Sequence, residues 1–144
     1  SLEMNQLIFK NEPNINIALS LNNIGFVYNN LQNYSKALEF YNKSLEMNQL
    51  IFKNEPNINI AISLNNIGLV YSNLQNYSKA LEFYNKSLEM YQLIFKNEPN
   101  INIAQSLNNI GGVYYDLQKY SKALEFHNKS LEMRQLIFKN EPNI

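Results

Sequence analysis

Asn23, Asn66 and Asn109 each stand directly before an Ile-Gly pair, at intervals of 43 residues. A carboxamide donates and accepts hydrogen bonds at once, so such a series can hold a polar ligand or satisfy a neighbouring helix. Both readings stand. The other candidates offer less chemistry. His127 is the only histidine and takes the place of Tyr41 and Tyr84 in the earlier copies. With no nucleophile or ligand cluster beside it, its expected role is structural. The Gly111-Gly112 doublet falls inside a helical pattern and lacks the further glycines and the lysine of a phosphate loop. Gly112 instead leaves a hole where its counterparts carry Phe26 and Leu69, and Tyr115 can fold over that hole or grip a ligand beside it. Carboxylates mostly pair with lysines, and the sequence contains no triad, metal cage or nucleotide loop. It therefore predicts a protein that is not an enzyme, with no cofactor and no metal.

Composition narrows the field further. Twelve basic and twelve acidic residues cancel, leaving no net field to recruit nucleic acid or an acidic membrane surface. The absence of cysteine excludes a disulfide framework and thiolate metal sites. The longest unbroken aliphatic or aromatic run is Leu-Ile-Phe, too short for a membrane span or a signal-peptide core. Hydrophobic residues at 45% are ordinary for a folded chain. Asparagine is the anomaly, at 27 of 144 residues. Asn costs up to about 0.7 kcal/mol per interior helix position relative to Ala. Together with Lys, Ile, Tyr and Phe it makes up nearly half the chain, and all five have AT-rich codons. Genomic bias with recent duplication is the default explanation for most of these Asn residues. Five Asn-x-Ser sequons, at Asn33, Asn42, Asn76, Asn85 and Asn128, are expected by chance on the same grounds. An intracellular, cytoplasmic location is expected.

The elements that must position these residues repeat every 43 positions. Ser1, Ser44, Ser87 and Ser130 each open Ser-Leu-Glu-Met, and residues 130–144 copy 1–15 with one change, Asn5 to Arg134. Ile17, Leu21, Ile24, Tyr28 and Leu31 recur at spacings of three and four, which predicts an amphipathic helix A over Ile17–Asn30. Pro13 with Asn14 or Asn16 supplies its start. Ser35 is the expected cap of a second helix, B, whose apolar positions include Leu38, Tyr41, Leu45 and Phe52. Helix B runs to about Lys53, and Asn54-Glu55-Pro56 ends it. Lys36, Glu39, Lys43 and Glu46 read as a solvated stripe, with Glu39 and Lys43 an i,i+4 pair. The expected organisation is one repeat array over 1–144. An orphan helix B spans 1–12, complete repeats span 13–55, 56–98 and 99–141, and 142–144 begin another. The chain thus looks like an excerpt from a longer array.

Within each unit, Leu21-x2-Ile24-Gly25-x2-Tyr28 followed by Ala37-x3-Tyr41 resembles the tetratricopeptide repeat signature. The pattern returns at Leu64, Ile67, Gly68, Tyr71, Ala80 and Tyr84, and at Leu107, Ile110, Gly111, Tyr114 and Ala123. Gly25 and Ala37 let the two helices approach closely. The family's usual repeat is about 34 residues. Here helix B and its linker are longer, as in the kinesin-light-chain-type variant, whose repeats run one residue shorter. HEAT and armadillo repeats have similar periods without the Gly/Tyr/Ala spacing. The resemblance implies an all-α, right-handed superhelical α-solenoid of antiparallel helix pairs, with a concave groove lined by helix A.

A helix wheel places Leu19, Asn22, Asn23, Phe26, Asn29 and Asn30 opposite the face that meets helix B. The equivalent residues are Ile62, Asn65, Asn66, Leu69, Ser72 and Asn73, then Gln105, Asn108, Asn109, Gly112, Tyr115 and Asp116. Seven columns differ among the three units, those beginning at residues 5, 19, 26, 29, 30, 33 and 41. Four lie in this six-column stripe, which points to diversification of a binding face. In tetratricopeptide-like families the Asn before Ile-Gly forms a ladder along a bound peptide. The expected function is therefore a protein-interaction scaffold holding an extended segment of a protein or peptide partner. Asp116 is the only charge in the stripe, so a strongly acidic ligand is disfavoured. The alternative is a purely architectural or self-associating array whose groove stays empty. The orphan helix, with its Leu2, Leu7 and Ile8 side uncovered, and the last helix B suggest head-to-tail self-association through uncapped ends.

Overall fold

A computed structural model gives the structure of residues 12–140. Six helices make up these residues: α1 (Ile15–Asn30), α2 (Tyr34–Phe52), α3 (Ile58–Asn73), α4 (Tyr77–Phe95), α5 (Ile101–Asp116) and α6 (Tyr120–Asn140). No strand occurs among the described residues. The odd-numbered helices are the A type and the even-numbered ones the B type. The orphan helix expected over residues 1–12, with Leu2, Leu7 and Ile8, falls almost wholly outside the described residues.

Asparagine side chains decide where the helices begin. Asn14 is extended at φ −139° and ψ 128°, and its Oδ1 accepts from Asn16 N–H at 2.8 Å and Ile17 N–H at 3.3 Å. Helix A therefore starts at Ile15, two residues before the expected Ile17, because the cap is Asn14 and Asn16 already lies inside the first turn. Asn57 and Asn100 repeat the arrangement. The cap of α2 is Asn33, not Ser35: Asn33 Oδ1 accepts from Lys36 N–H at 3.2 Å, and Ser35 falls within the first turn. Asn76 caps α4 in the same way, while the equivalent residue before α6 is Lys119, which has no acceptor.

The A helices end in a left-handed residue. Gln32 has φ 62°, and Asn33 N–H reaches back to Tyr28 C=O at 2.9 Å while Gln32 N–H bonds Asn29 C=O at 3.0 Å. These two hydrogen bonds satisfy two terminal carbonyls and turn the chain into α2. Lys53 and Asn54 both take φ near the left-handed region, at 52° and 61°, to close α2.

Each A–B pair is held by a close approach. A Cβ on Gly25, Gly68 or Gly111 would stand 2.8, 2.7 or 2.9 Å from the ring of Tyr41, Tyr84 or His127. Beside this contact, Ser44, Ser87 and Ser130 are buried and donate to Ala18, Ala61 and Ala104 C=O at 2.8 Å. The pairs then stack through apolar clusters. Ala37, Tyr41, Leu45, Ile60, Ile67 and Val70 belong to one, and Ala80, Tyr84, Tyr91, Ile103, Ile110 and Val113 to the other.

The outer face is solvated as the charge stripe predicts, but the pairing differs. Lys36 Nζ lies 3.8 Å from Glu39, an i,i+3 pair, and Lys43 Nζ sits 5.3 Å above the Phe40 ring instead of meeting Glu39. Phe40 stacks in turn on Tyr28, with centroids 5.6 Å apart, so the Tyr28 column is half-buried against helix B.

The glycine contact gives a paired test. Gly68→Ala is expected to lower stability by about 1–3 kcal/mol, since overpacking against the buried Tyr84 ring outweighs the better helix propensity. A Cβ on Gly112 meets nothing within 4 Å, so Gly112→Ala is expected to raise stability by about 1 kcal/mol. Urea unfolding of the two variants beside wild type reads both signs.

Candidate functional site: the shared face of the A helices

The A helices lie side by side, and their amides join them. Asn66 Nδ2 donates to Asn22 Oδ1 at 3.0 Å, Asn109 Nδ2 to Asn65 Oδ1 at 3.0 Å, and Asn73 Nδ2 to Asn29 Oδ1 at 3.2 Å. A row of carboxamides therefore runs from α1 across α3 to α5. For Asn66 and Asn109, the donor half is committed to the preceding repeat, which is the helix-to-helix role weighed above. Each rung still has one Oδ1 and one Nδ2 outside that bond, because a carboxamide supplies both functions.

None of the eighteen predicted groove residues is fully buried. Leu19, Phe26, Ile62, Leu69 and Tyr115 are exposed apolar or aromatic side chains on this face. The gap beside Gly112 stays open. Tyr115 does not fold over it but packs edge-on against Tyr120 of α6, with centroids 5.4 Å apart. His127 Nδ1 lies 2.8 Å from Asn108 Oδ1, an arrangement in which the ring N–H donates, so this histidine helps fix the α5–α6 pair. Among the described residues no group of three or more His, Asp or Glu could hold a metal ion.

Two hollows open between neighbouring A helices, and helix B contributes to both. The first, of about 90 Å³, is lined by Ile15, Ala18, Leu19 and Asn22 of α1, by Asn59, Ile62 and Ser63 of α3, and by Ser44 and Asn48 of α2. The second, of about 410 Å³, is lined by Asn65 and Leu69 of α3, Gln105, Asn108 and Asn109 of α5, Tyr84 of α4 and Arg134 of α6. The helix-A wheel could not reveal Asn48, Tyr84 or Arg134. The signal available was the variation of the columns beginning at residues 5 and 41, which hold these B-helix positions. Arg134 also places a cation beside a stripe whose own only charge is Asp116.

Burial shapes the tyrosines beneath this face. It pushes the Tyr84 phenol up to about 12 and raises Tyr41 and Tyr91 as well. The cause in each case is desolvation of the phenolate.

The sequence model of the family described as Tetratricopeptide repeat matches residues 16–93 and, overlapping them, 59–136. No curated protein matches the chain. Among solved structures, BtubC (BKLC) from P. vanneervenii superposes with a TM-score of 0.78 at 22% identity, over 89% of this chain and 50% of that one. The N-terminal domain of stress-induced protein-1 (STI-1) from C. elegans gives 0.64 at 19% identity, over 83% of this chain and 85% of that one. The TPR2AB domain of yeast Sti1, solved as a complex with pHSP90, gives 0.65 at 22% identity, over 82% and 41% respectively. At these identities the likeness is one of fold, and the chain spans half the length of BtubC.

The raised phenol sets a pH expectation. A folded-state value above the unfolded one means the neutral phenol stabilises the fold fully below pH 10, and that contribution is lost as pH rises from 10 to about 12. The melting temperature should therefore fall across that window, and Tyr84→Phe should flatten the fall. Melting curves recorded through the window for both proteins, with phenolate absorbance in parallel, check it.

Proposed function

The chain belongs to the tetratricopeptide repeat family, and from that premise we propose that it is a non-enzymatic scaffold holding an extended segment of another protein along α1, α3 and α5. The observation that carries this is the row of exposed Leu19, Phe26, Ile62, Leu69 and Tyr115 set among carboxamides on one continuous face. Apolar side chains offer area to be buried, and the unspent amide donor and acceptor of each rung match a peptide main chain. The yeast Sti1 domain with the same fold was solved with pHSP90, which supports a peptide as the ligand class. Neither a nucleic acid nor a membrane fits a net charge of zero. Among the described residues no helix is long and apolar enough to cross a membrane. The cytoplasmic location we propose rests instead on the sequons at Asn42, Asn85 and Asn128 lying inside B helices, a poor context for glycosylation. The repeats we assign are 13–55, 56–98 and 99–141.

Recovery of a partner from native lysate, using wild type and two double variants, tests the site. Phe26→Ala with Leu69→Ser should lose the partner, while Leu50→Ser with Leu93→Ser, exposed on helix B, should keep it. Loss by the second variant alone would move the site off the A helices. Recovery of no partner would favour the architectural alternative.

A second partner is another copy of the chain. Val27 of α1 is 53% exposed, whereas Val70 and Val113 are buried between repeats. Leu131 of α6 is 52% exposed, whereas Leu45 and Leu88 are buried. Head-to-tail stacking would cover both with the contact the repeats already make internally. Sedimentation velocity should show association rising with concentration and weakening in Val27→Lys and Leu131→Lys. A monomer at every concentration overturns it.

A further inference from the structure

The hollow between α1 and α3 has an internal counterpart one repeat later, and comparing the two shows what it accepts. Of its nine lining positions, six carry the same residue type 43 positions on, and three do not: Leu19 becomes Ile62, Ile62 becomes Gln105, and Asn48 becomes Tyr91. At the later junction Tyr91 is only 5% exposed and lies in the apolar cluster with Ala61, Leu88 and Ile103. The space that a tyrosine fills there is left open here by the shorter Asn48. The counterpart thus shows a largely apolar ring seated among apolar neighbours at this place in the repeat.

The lining favours carbon over charge. Ser44 Oγ is spent on Ala18 C=O at 2.8 Å, Asn48 Nδ2 on Ser63 Oγ at 3.4 Å, and Asn22 Oδ1 on Asn66 at 3.0 Å. With these groups engaged and no ionisable residue in the lining, an incoming charge would lose its water and meet only neutral amides and hydroxyls. A volume of about 90 Å³ lies below the ~150 Å³ of a cavity that takes benzene, so it suits Val, Ile or Leu better than a large aromatic side chain. Exposed Leu19 and Ile62 extend the same surface outward onto the A-helix face.

We infer that this hollow is the anchor socket of the groove, receiving one Val, Ile or Leu side chain of the extended segment and so fixing its register. The inference rests on the groove reading of the preceding subsection. It is tested by filling the socket as the next repeat does, with Asn48→Tyr. The fold provides for that change: opposite Tyr91, Ser106 Oγ donates to Asn102 C=O at 2.9 Å, and Ser63 can turn to Asn59 in the same manner.

Random 12-residue peptides displayed on phage would be selected in parallel against wild type and Asn48→Tyr, with circular dichroism confirming the fold. Ile62→Gln, an exposed change that copies Gln105, serves if Asn48→Tyr does not fold. Wild type should enrich peptides sharing one Val/Ile/Leu position. Aspartate at that position, or either protein variant, should weaken binding roughly 10- to 100-fold, the worth of one buried aliphatic side chain. Enriched peptides with no aliphatic position, or with equal affinity for the filled socket, overturn the socket and leave the groove standing. If wild type enriches no peptide, the groove reading fails and the socket fails with it.

Discussion

The structure depends on one close approach, that of a glycine backbone to an aromatic face. At Gly25, Gly68 and Gly111 the ring of the partner helix occupies the volume a Cβ would need. This holds each B helix close to its A helix, and the buried Ser hydroxyl alongside fixes their axial register. Because all three pairs share that distance, the same apolar clusters can close between successive pairs. The A helices then come to lie next to one another, near enough for side-chain amides to bridge them. A shift at the glycine would propagate into every later contact, as expected of an array in which each unit touches only its neighbours.

Most of this was legible in the sequence, for a physical reason. Helix period, prolines and the small residues at Gly25 and Ala37 are local signals, and triplication repeated each of them. Local choices that agree with the global fold make both readable. Asparagine was the exception. Codon bias was the default explanation for its abundance, yet the structure gives many of these residues work: Asn14, Asn33, Asn57, Asn76 and Asn100 cap helices, and Asn22, Asn65 and Asn29 accept from the following repeat. A poor interior helix former is a good N-cap, since its amide competes for backbone hydrogen bonds. Capping depends on position within a turn, which is why Ser35 and Asn33 could not be told apart from residue type alone.

The shared face of the A helices was legible only in part. The stripe on helix A followed from a wheel, and its residues are accessible as that wheel requires. Its floor was not visible that way, because Asn48, Tyr84 and Arg134 reach the face from B helices. Which B-helix residues reach between two A helices depends on the pair geometry, and a single-helix projection omits it. The ladder asparagines show a related limit. Sequence gave the choice between ligand and neighbour, but only the positions of adjacent A helices show that Asn66 and Asn109 already hold the preceding repeat.

Near-identical copies make the remaining differences informative. A packed interior accommodates little change in volume, so exchanging Asn48 for Tyr91 between equivalent places must either leave space or fill it. One exchange therefore turns an array of like units into a face with unlike junctions, without altering the glycine contacts that set the helices. The differences at Leu19, Ile62 and Gln105 fall beside the same place and alter its rim from aliphatic to amide. A repeated backbone supplies the spacing, and a few side chains between repeats give each junction its own chemistry. On the proposed reading, the order of the junctions along this face sets specificity, so a ligand would be read by register as much as by composition.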